Sequence, residues 1–152
     1  MMRHLGGPET RTKIAERQAR YERAGSRQYR IVEVESGEGV GWVGYWEREW
    51  LDRLCWEVGW AVVPAMQGRG IGSTATALLL DVAREEGSHR YVHAYPSVEN
   101  TASNGICRKL GFTLLGAHDF EYPVGHWMRC NDWQYDLRPG GGASRPPRPR
   151  RQ

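Results

Sequence analysis

The chain has 152 residues, seven tryptophans, seven tyrosines and a net charge of +3. That length and aromatic content predict one domain with a packed core and exclude a largely disordered chain. No run of about eighteen apolar residues occurs and no apolar signal segment opens the chain, so no membrane span and a cytoplasmic location are expected.

Met1 to Pro8 reads as loop. Glu9 to about Ala24 reads as a polar helix with Ile14, Ala15, Gln18 and Tyr21 on a thin inward stripe, stopped by Gly25 and Ser26. Tyr29 to Glu35 alternates as a strand, Ser36 to Gly39 forms a hairpin turn, and Val40 to Trp46 returns. Glu47 to Asp52 is expected to be a polar connection. Cys55 to Val63 is a third strand, whose period of two puts Trp56, Val58, Trp60 and Val62 on a core-facing side. Cys55, Glu57, Gly59, Ala61 and Val63 share the other side.

A helix from Ile71 to about Glu86 follows, with Ile71, Ala75, Leu78, Leu79 and Val82 as its apolar stripe and Gly87 closing it. His89 to Tyr95 is the next strand, ended by Pro96. The length of the intervening unit predicts that it lies parallel to, and beside, Cys55–Val63. His89 and His93 share a strand face by spacing, but no third ligand lies near in sequence, so ordinary core or surface histidines are expected and no metal. Asn100 is a good cap for a helix with Ala102, Ile106, Cys107 and Leu110 on one face, ending at Gly111. Thr113 to Gly116 and Met128 to Leu137 read as closing antiparallel strands. The connection Ala117 to Trp127 is rich in rings and acids, and Asp119 and Glu121 would suit an amine or cationic acceptor.

From Arg138 to Gln152 come five arginines and no acid, which leaves about −2 for the folded part. This Pro/Gly/Arg-rich tail has no apolar anchors and is expected to be disordered. Its composition favours a solvated extension over an arm that contacts RNA or ribosome. Residues 1–137 are therefore the expected domain. Cys55, Cys107 and Cys130 make neither a metal pattern nor a disulfide set, which fits a reducing cytosol.

The stretch Gln67-Gly68-Arg69-Gly70-Ile71-Gly72 opens the Ile71 helix. A glycine-rich loop at a helix start points free N–H groups one way, with the positive helix end behind them, and so suits a phosphate. It is not a P-loop, because no lysine follows Gly72 closely. Nor is it a dinucleotide fingerprint, because Ser73 stands in place of the third glycine. A literal Gly-x-Gly-x-x-Gly does occur at Gly39 to Gly44, but strand residues follow it rather than a helix, so it is a chance match.

The Gln67–Gly72 stretch resembles the Gln/Arg-x-x-Gly-x-Gly/Ala signature of the GNAT N-acetyltransferase superfamily. Asn100-x-x-Ser103 followed by Arg108-Lys109-Leu110-Gly111-Phe112 resembles that superfamily's second motif. The wording is closest to the Rim-type branch, and the similarity runs from about His4 to Leu137. The resemblance implies an α/β (mixed α+β) GNAT fold, with a mostly antiparallel sheet flanked by helices. Eight residues ahead of the Glu9 helix leave no room for that fold's usual first strand and helix, so either the start is an internal methionine or the domain lacks its first strand. An edge exposed in this way would favour pairing with a second copy.

The same resemblance implies acetyl-CoA as co-substrate and a primary amine as acceptor, either a small molecule or a protein N-terminus. Gln67, Gly68, Arg69, Gly70, Ile71 and Gly72 would hold the pyrophosphate. The backbone of Trp60, Ala61 and Val62 would pair with the pantetheine arm, and the Asn100 side chain would bond that arm. Glu57 is the candidate base, since the attacking amine must be neutral; the alternative is a carboxylate exposed to solvent or paired with an arginine. For the proton to the departing thiolate, Cys107 stands where many relatives place tyrosine, and Ser103 is a second candidate. Cys107 as packing and Asn100 as cap are the alternatives. A catalytically weak acyl-CoA-binding module is the second reading of the whole chain.

Overall fold

The computed structural model describes residues 27–121 and 123–138, together with helical positions Thr12 and Ala15. The rest of the expected Glu9–Ala24 helix, the question of a missing first strand and the arginine-rich tail past Arg138 lie outside the described residues.

Strands β1 (Arg27–Val32), β2 (Gly39–Trp50) and β3 (Arg53–Val62) form an antiparallel meander. Helix α1 (Ile71–Glu86) crosses to β4 (Tyr91–Ala94), which lies parallel to β3. Helix α2 (Thr101–Leu110) leads into the hairpin of β5 (Thr113–Glu121) and β6 (Trp127–Asp136). The hairpin turns back so that β6 pairs with β4, and the sheet order is β1-β2-β3-β4-β6-β5. The expected mixed, mostly antiparallel α/β sheet is thus observed, with the parallel pair where the crossover predicted it.

Several boundaries differ from expectation. Glu47 to Asp52 is not a connection: β2 continues to Trp50, paired with β3 from Trp50↔Arg53 to Gly41↔Val62, and only Leu51 and Asp52 turn, both at positive φ. The exposed Glu47 and Glu49 alternate with half-buried Trp46, Arg48 and Trp50, so this polar stretch already had a strand's period. The first strand stops at Val32, because Glu33 and Gly37 bond across the turn. The strand after α1 is shortened to Tyr91–Ala94. In the last hairpin β5 extends through Glu121, which leaves only a short turn where the long Ala117–Trp127 connection was expected.

The core lies on one face of the sheet. Val43, Tyr45, Trp56, Val58, Val92 and Trp133 meet Leu79, Leu80 and Ala83 of α1 and Cys107 of α2. The stripe predicted for α1 is out of phase by about one position. Gly72, Ser73, Thr76, Leu79, Leu80 and Ala83 are buried, whereas Leu78 is 63% exposed and Val82 is exposed. Small Thr76 and Ala83 face inward because helix and sheet approach closely along that line. The two-face division of β3 holds for the core side, but Cys55 and Ala61 on the opposite side are buried as well.

Candidate active site

Strands β3 and β4 pair at only two positions, Trp56↔Val92 and Glu57↔His93. Beyond Glu57 the two strands part, although β3 runs on to Val62 against β2. The Val63 N–H donates to Val40 O at 2.8 Å, on the β2 side. By alternation, the N–H and C=O groups of Trp60 and Val62 face the opening between β3 and β4. The Val62 carbonyl is already engaged, accepting from Gln67 Nε2 at 2.9 Å, which folds the glycine loop back against the strand end.

Gly70 starts α1 at φ 76°, a conformation that L side chains rarely adopt. The first α1 hydrogen bond to a residue ahead of the helix is Thr74 N–H to Gly70 O at 3.0 Å. Among the described residues, the amides of Gly68 to Ser73 take no backbone partner outside the helix. No acidic residue stands in the first turn of α1 to compete for them. A Cβ on Gly70 would lie 4.0 Å from Lys109 Nζ, so the end of α2 brings a cation to the same loop. The residues present therefore fit a diphosphate: free amides, a helix N-terminus and an ammonium.

At the closed end of the opening stands Glu57, whose Oε2 accepts from Arg48 Nη1 at 2.7 Å. Burial works against the Arg48 charge, and the neighbouring carboxylate outweighs it, so the guanidinium is held above its ordinary value. Around it lie the rings of Trp50, Tyr95 and Phe120, with centroids 5.3, 4.6 and 5.2 Å from Cζ. Trp50 also packs edge-on against Tyr95 and His118. Beneath this cluster His93 Nδ1 meets Asp132 Oδ1 at 2.6 Å, and Trp50 Nε1 donates to the other Asp132 oxygen at 3.0 Å. Both His93 and Asp132 are buried. The face of the sheet opposite the core is therefore a ring-lined surface holding Glu57, Arg48 and Tyr95.

The sequence matches the acetyltransferase (GNAT) domain family over residues 1–113. The chain belongs to the GNAT acetyltransferases. It is an acetyl-CoA-dependent acetyltransferase, and acetyl-CoA is its co-substrate. Its relatives include the L-methionine sulfoximine/L-methionine sulfone acetyltransferases of Pseudomonas paraeruginosa and Pseudomonas aeruginosa. Each is 29% identical over 140 residues, which is 89% of this chain and 81% of theirs. Among solved structures, a ribosomal-protein-alanine N-acetyltransferase from Brucella melitensis superposes with a TM-score of 0.65 at 25% identity, covering 82% of this chain and 77% of that one. The structure of yncA from Salmonella typhimurium with its cofactor acetyl-CoA superposes with a TM-score of 0.63 at 24% identity, covering 87% and 76%.

The residues expected for the GNAT site fall into two groups. Gln67 to Gly72 sit at the open end of the gap and Glu57 at its closed end, with Trp60, Ala61 and Val62 between them along β3. Asn100 caps α2, its Oδ1 accepting from the Ser103 N–H at 3.1 Å. Ser103 is half-buried in the first turn. Cys107 stands apart from these: it is 0% exposed, packed in the core, and burial pushes its thiol up to about 12. Glu57 takes the arginine-paired state that was its alternative reading, although its Oε1 takes no partner among the described residues. Asp119 pairs with Arg129, and Glu121 closes the β5–β6 turn by accepting from the Gly125 N–H. The rings near them, Phe120 and His118, do reach the site, while the two acids do not. His89 leaves the His93 face, packing edge-on to Trp56 and bonding Glu47.

Arg48, Tyr95 and Asn104 were not singled out from sequence, and Lys109 stood there only as part of the second motif, without a role. Arg48 was hidden by reading its stretch as a connection. Its alternation with Trp46 and Trp50 was the available signal.

Proposed function

We propose that this acetyltransferase acetylates a primary amine by direct attack, without a covalent enzyme intermediate. One observation carries the reading: β3 and β4 part immediately after Glu57↔His93, while the free amides of Gly68–Ser73 stand where β3 ends. Bound acetyl-CoA supplies the thioester whose acetyl group is transferred. In this reading the loop amides and Lys109 bind the pyrophosphate, and the Trp60 N–H and C=O together with the Val62 N–H pair with the arm as an added strand would. Glu57 takes the ammonium proton through its unengaged Oε1, directly or by way of a water, so that the nitrogen lone pair is free to attack. Asn100 orients the arm with the part of its amide not used for capping. Ser103, at the helix start, is the candidate donor to the departing thiolate, since Cys107 is enclosed in the core.

The names of the relatives offer two acceptor classes, a small amino-acid derivative and a ribosomal-protein alanine. Glu57→Gln tests the base: kcat is expected to fall at least about a hundredfold while acetyl-CoA affinity is kept. An unchanged kcat removes Glu57 from the mechanism. A stable acetyl-protein trapped by mass spectrometry would rule out direct attack.

A further inference from the structure

We infer that Arg48 and Tyr95 receive the carboxylate of an amino-acid acceptor, so that the amine to be acetylated is carried beside a free carboxylate. This rests on the amine-acetylating reading above and chooses between its two acceptor classes.

Arg48 has a planar fork of N–H donors, and only Nη1 is engaged, on Glu57. Among the described residues its Nε and Nη2 edge takes no hydrogen-bond partner. The Tyr95 hydroxyl is also buried with no hydrogen-bond partner, and its ring lies 4.6 Å from Arg48 Cζ. A buried hydroxyl without a partner is unfavourable until a ligand completes it. Trp50 and Phe120 complete the surround, yet 29% of the Arg48 side chain stays exposed. The rings pack around the planar guanidinium, and its unengaged Nε and Nη2 form a bidentate fork suited to a planar anion.

A carboxylate on that edge accepts from Arg48 and from Tyr95 together. In an α-amino acid the amine sits on the adjacent carbon, which brings it toward Glu57, already bound to the same guanidinium. A polyamine offers only positive charge to Arg48 and is rejected. A peptide N-terminus presents a neutral amide where the fork needs an anion. Rings around a carboxylate ordinarily make a cation receptor; here Arg48 fills that position and reverses the sign of what is recognised.

The test uses the full chain complexed with CoA. A panel of L-amino acids and methionine sulfone, each paired with its carboxamide, is titrated by calorimetry, which reads binding whether or not transfer occurs. At least one free acid is expected to bind about a hundredfold tighter than its amide. Arg48→Met is expected to bring that ratio close to one, and Tyr95→Phe, which keeps the ring, to narrow it about tenfold. The proposal is overturned if no free acid is preferred over its amide, or if the ratio survives in Arg48→Met. If Arg48→Met does not fold, the wild-type ratio and Tyr95→Phe still decide. A preserved preference with no N-acetyl product from acetyl-CoA would instead sink the acetylation reading and leave the carboxylate site standing.

Discussion

At the scale of the residue, Asn104 shows how one buried amide can organise a helix, a strand and a turn. It is 2% exposed, and its Nδ2 donates to Ser97 O and Asn100 O at 2.9 and 2.8 Å. Its Oδ1 accepts from Asn131 Nδ2 and Trp133 Nε1, both at 2.8 Å. Every hydrogen-bonding position of the amide plane is used, which ties α2 to β6 and to the turn carrying Asn100. Asn104→Ala would leave several of these groups unmatched and is expected to lower stability by about 2–3 kcal/mol, read as a fall in the urea midpoint. A change under about 0.5 kcal/mol would mean that water replaces the amide. Asn104 was invisible in the sequence because the acceptor half of its network comes from Asn131 and Trp133, far along the chain, whereas Asn100, whose partner is three residues on, was legible as a cap. The enclosure of Cys107 was hidden for a related reason. Its spacing from Asn100 matched a family pattern, but only the packing of Phe112 and Trp133 around the same core shows how completely it is enclosed.

At the scale of the element, the β2–β3 ladder determines what the site strand can do. A methyl on Gly41 would lie 2.1 Å from the Ala61 carbonyl oxygen, which is main chain and has nowhere to move. The glycine of the chance Gly-x-Gly-x-x-Gly match is therefore required for close approach of two strands, not for a nucleotide. Gly41→Ala is expected to cost about 2–3 kcal/mol, measured by denaturant unfolding, and to weaken acetyl-CoA binding because Val62 is the register partner of Gly41. Loss of stability with binding untouched would show that the ladder adjusts without disturbing the gap. Most elements were readable from period and caps: α1 with Gly87 at its end, α2 with Asn100 and Gly111, β3 from its alternation. The phase of α1 was not, since Leu78 and Val82 are apolar enough to suggest an inward stripe. The close approach of helix to sheet instead selects the small side chains of Thr76 and Ala83.

At the scale of the whole molecule, ligand binding and stability are linked. Acetyl-CoA at about a hundred times its Kd adds roughly 2.7 kcal/mol, which for a chain of this size raises Tm by about 5–10 °C. Gly70→Glu is expected to abolish that rise, because it places a side chain at φ 76° and a negative charge among amides that would face phosphate. A rise retained in Gly70→Glu would move the pyrophosphate away from this loop.

By itself the sequence determined a mixed α/β fold with a glycine-rich helix start, and that the strands around α1 run parallel. Those features rest on local order: glycine spacing, a period of two or of three to four, a cap, the length of a crossover. Only the tertiary structure decided that β3 and β4 part after Glu57, that Glu57 is held by Arg48, and that Tyr95, Trp50 and Phe120 enclose that guanidinium. These residues come from β2, β3, the end of β4 and β5, and no local pattern encodes which of them will meet. Strand register and sheet order do that, because a side chain's neighbours across a sheet are set by the pairing of distant segments.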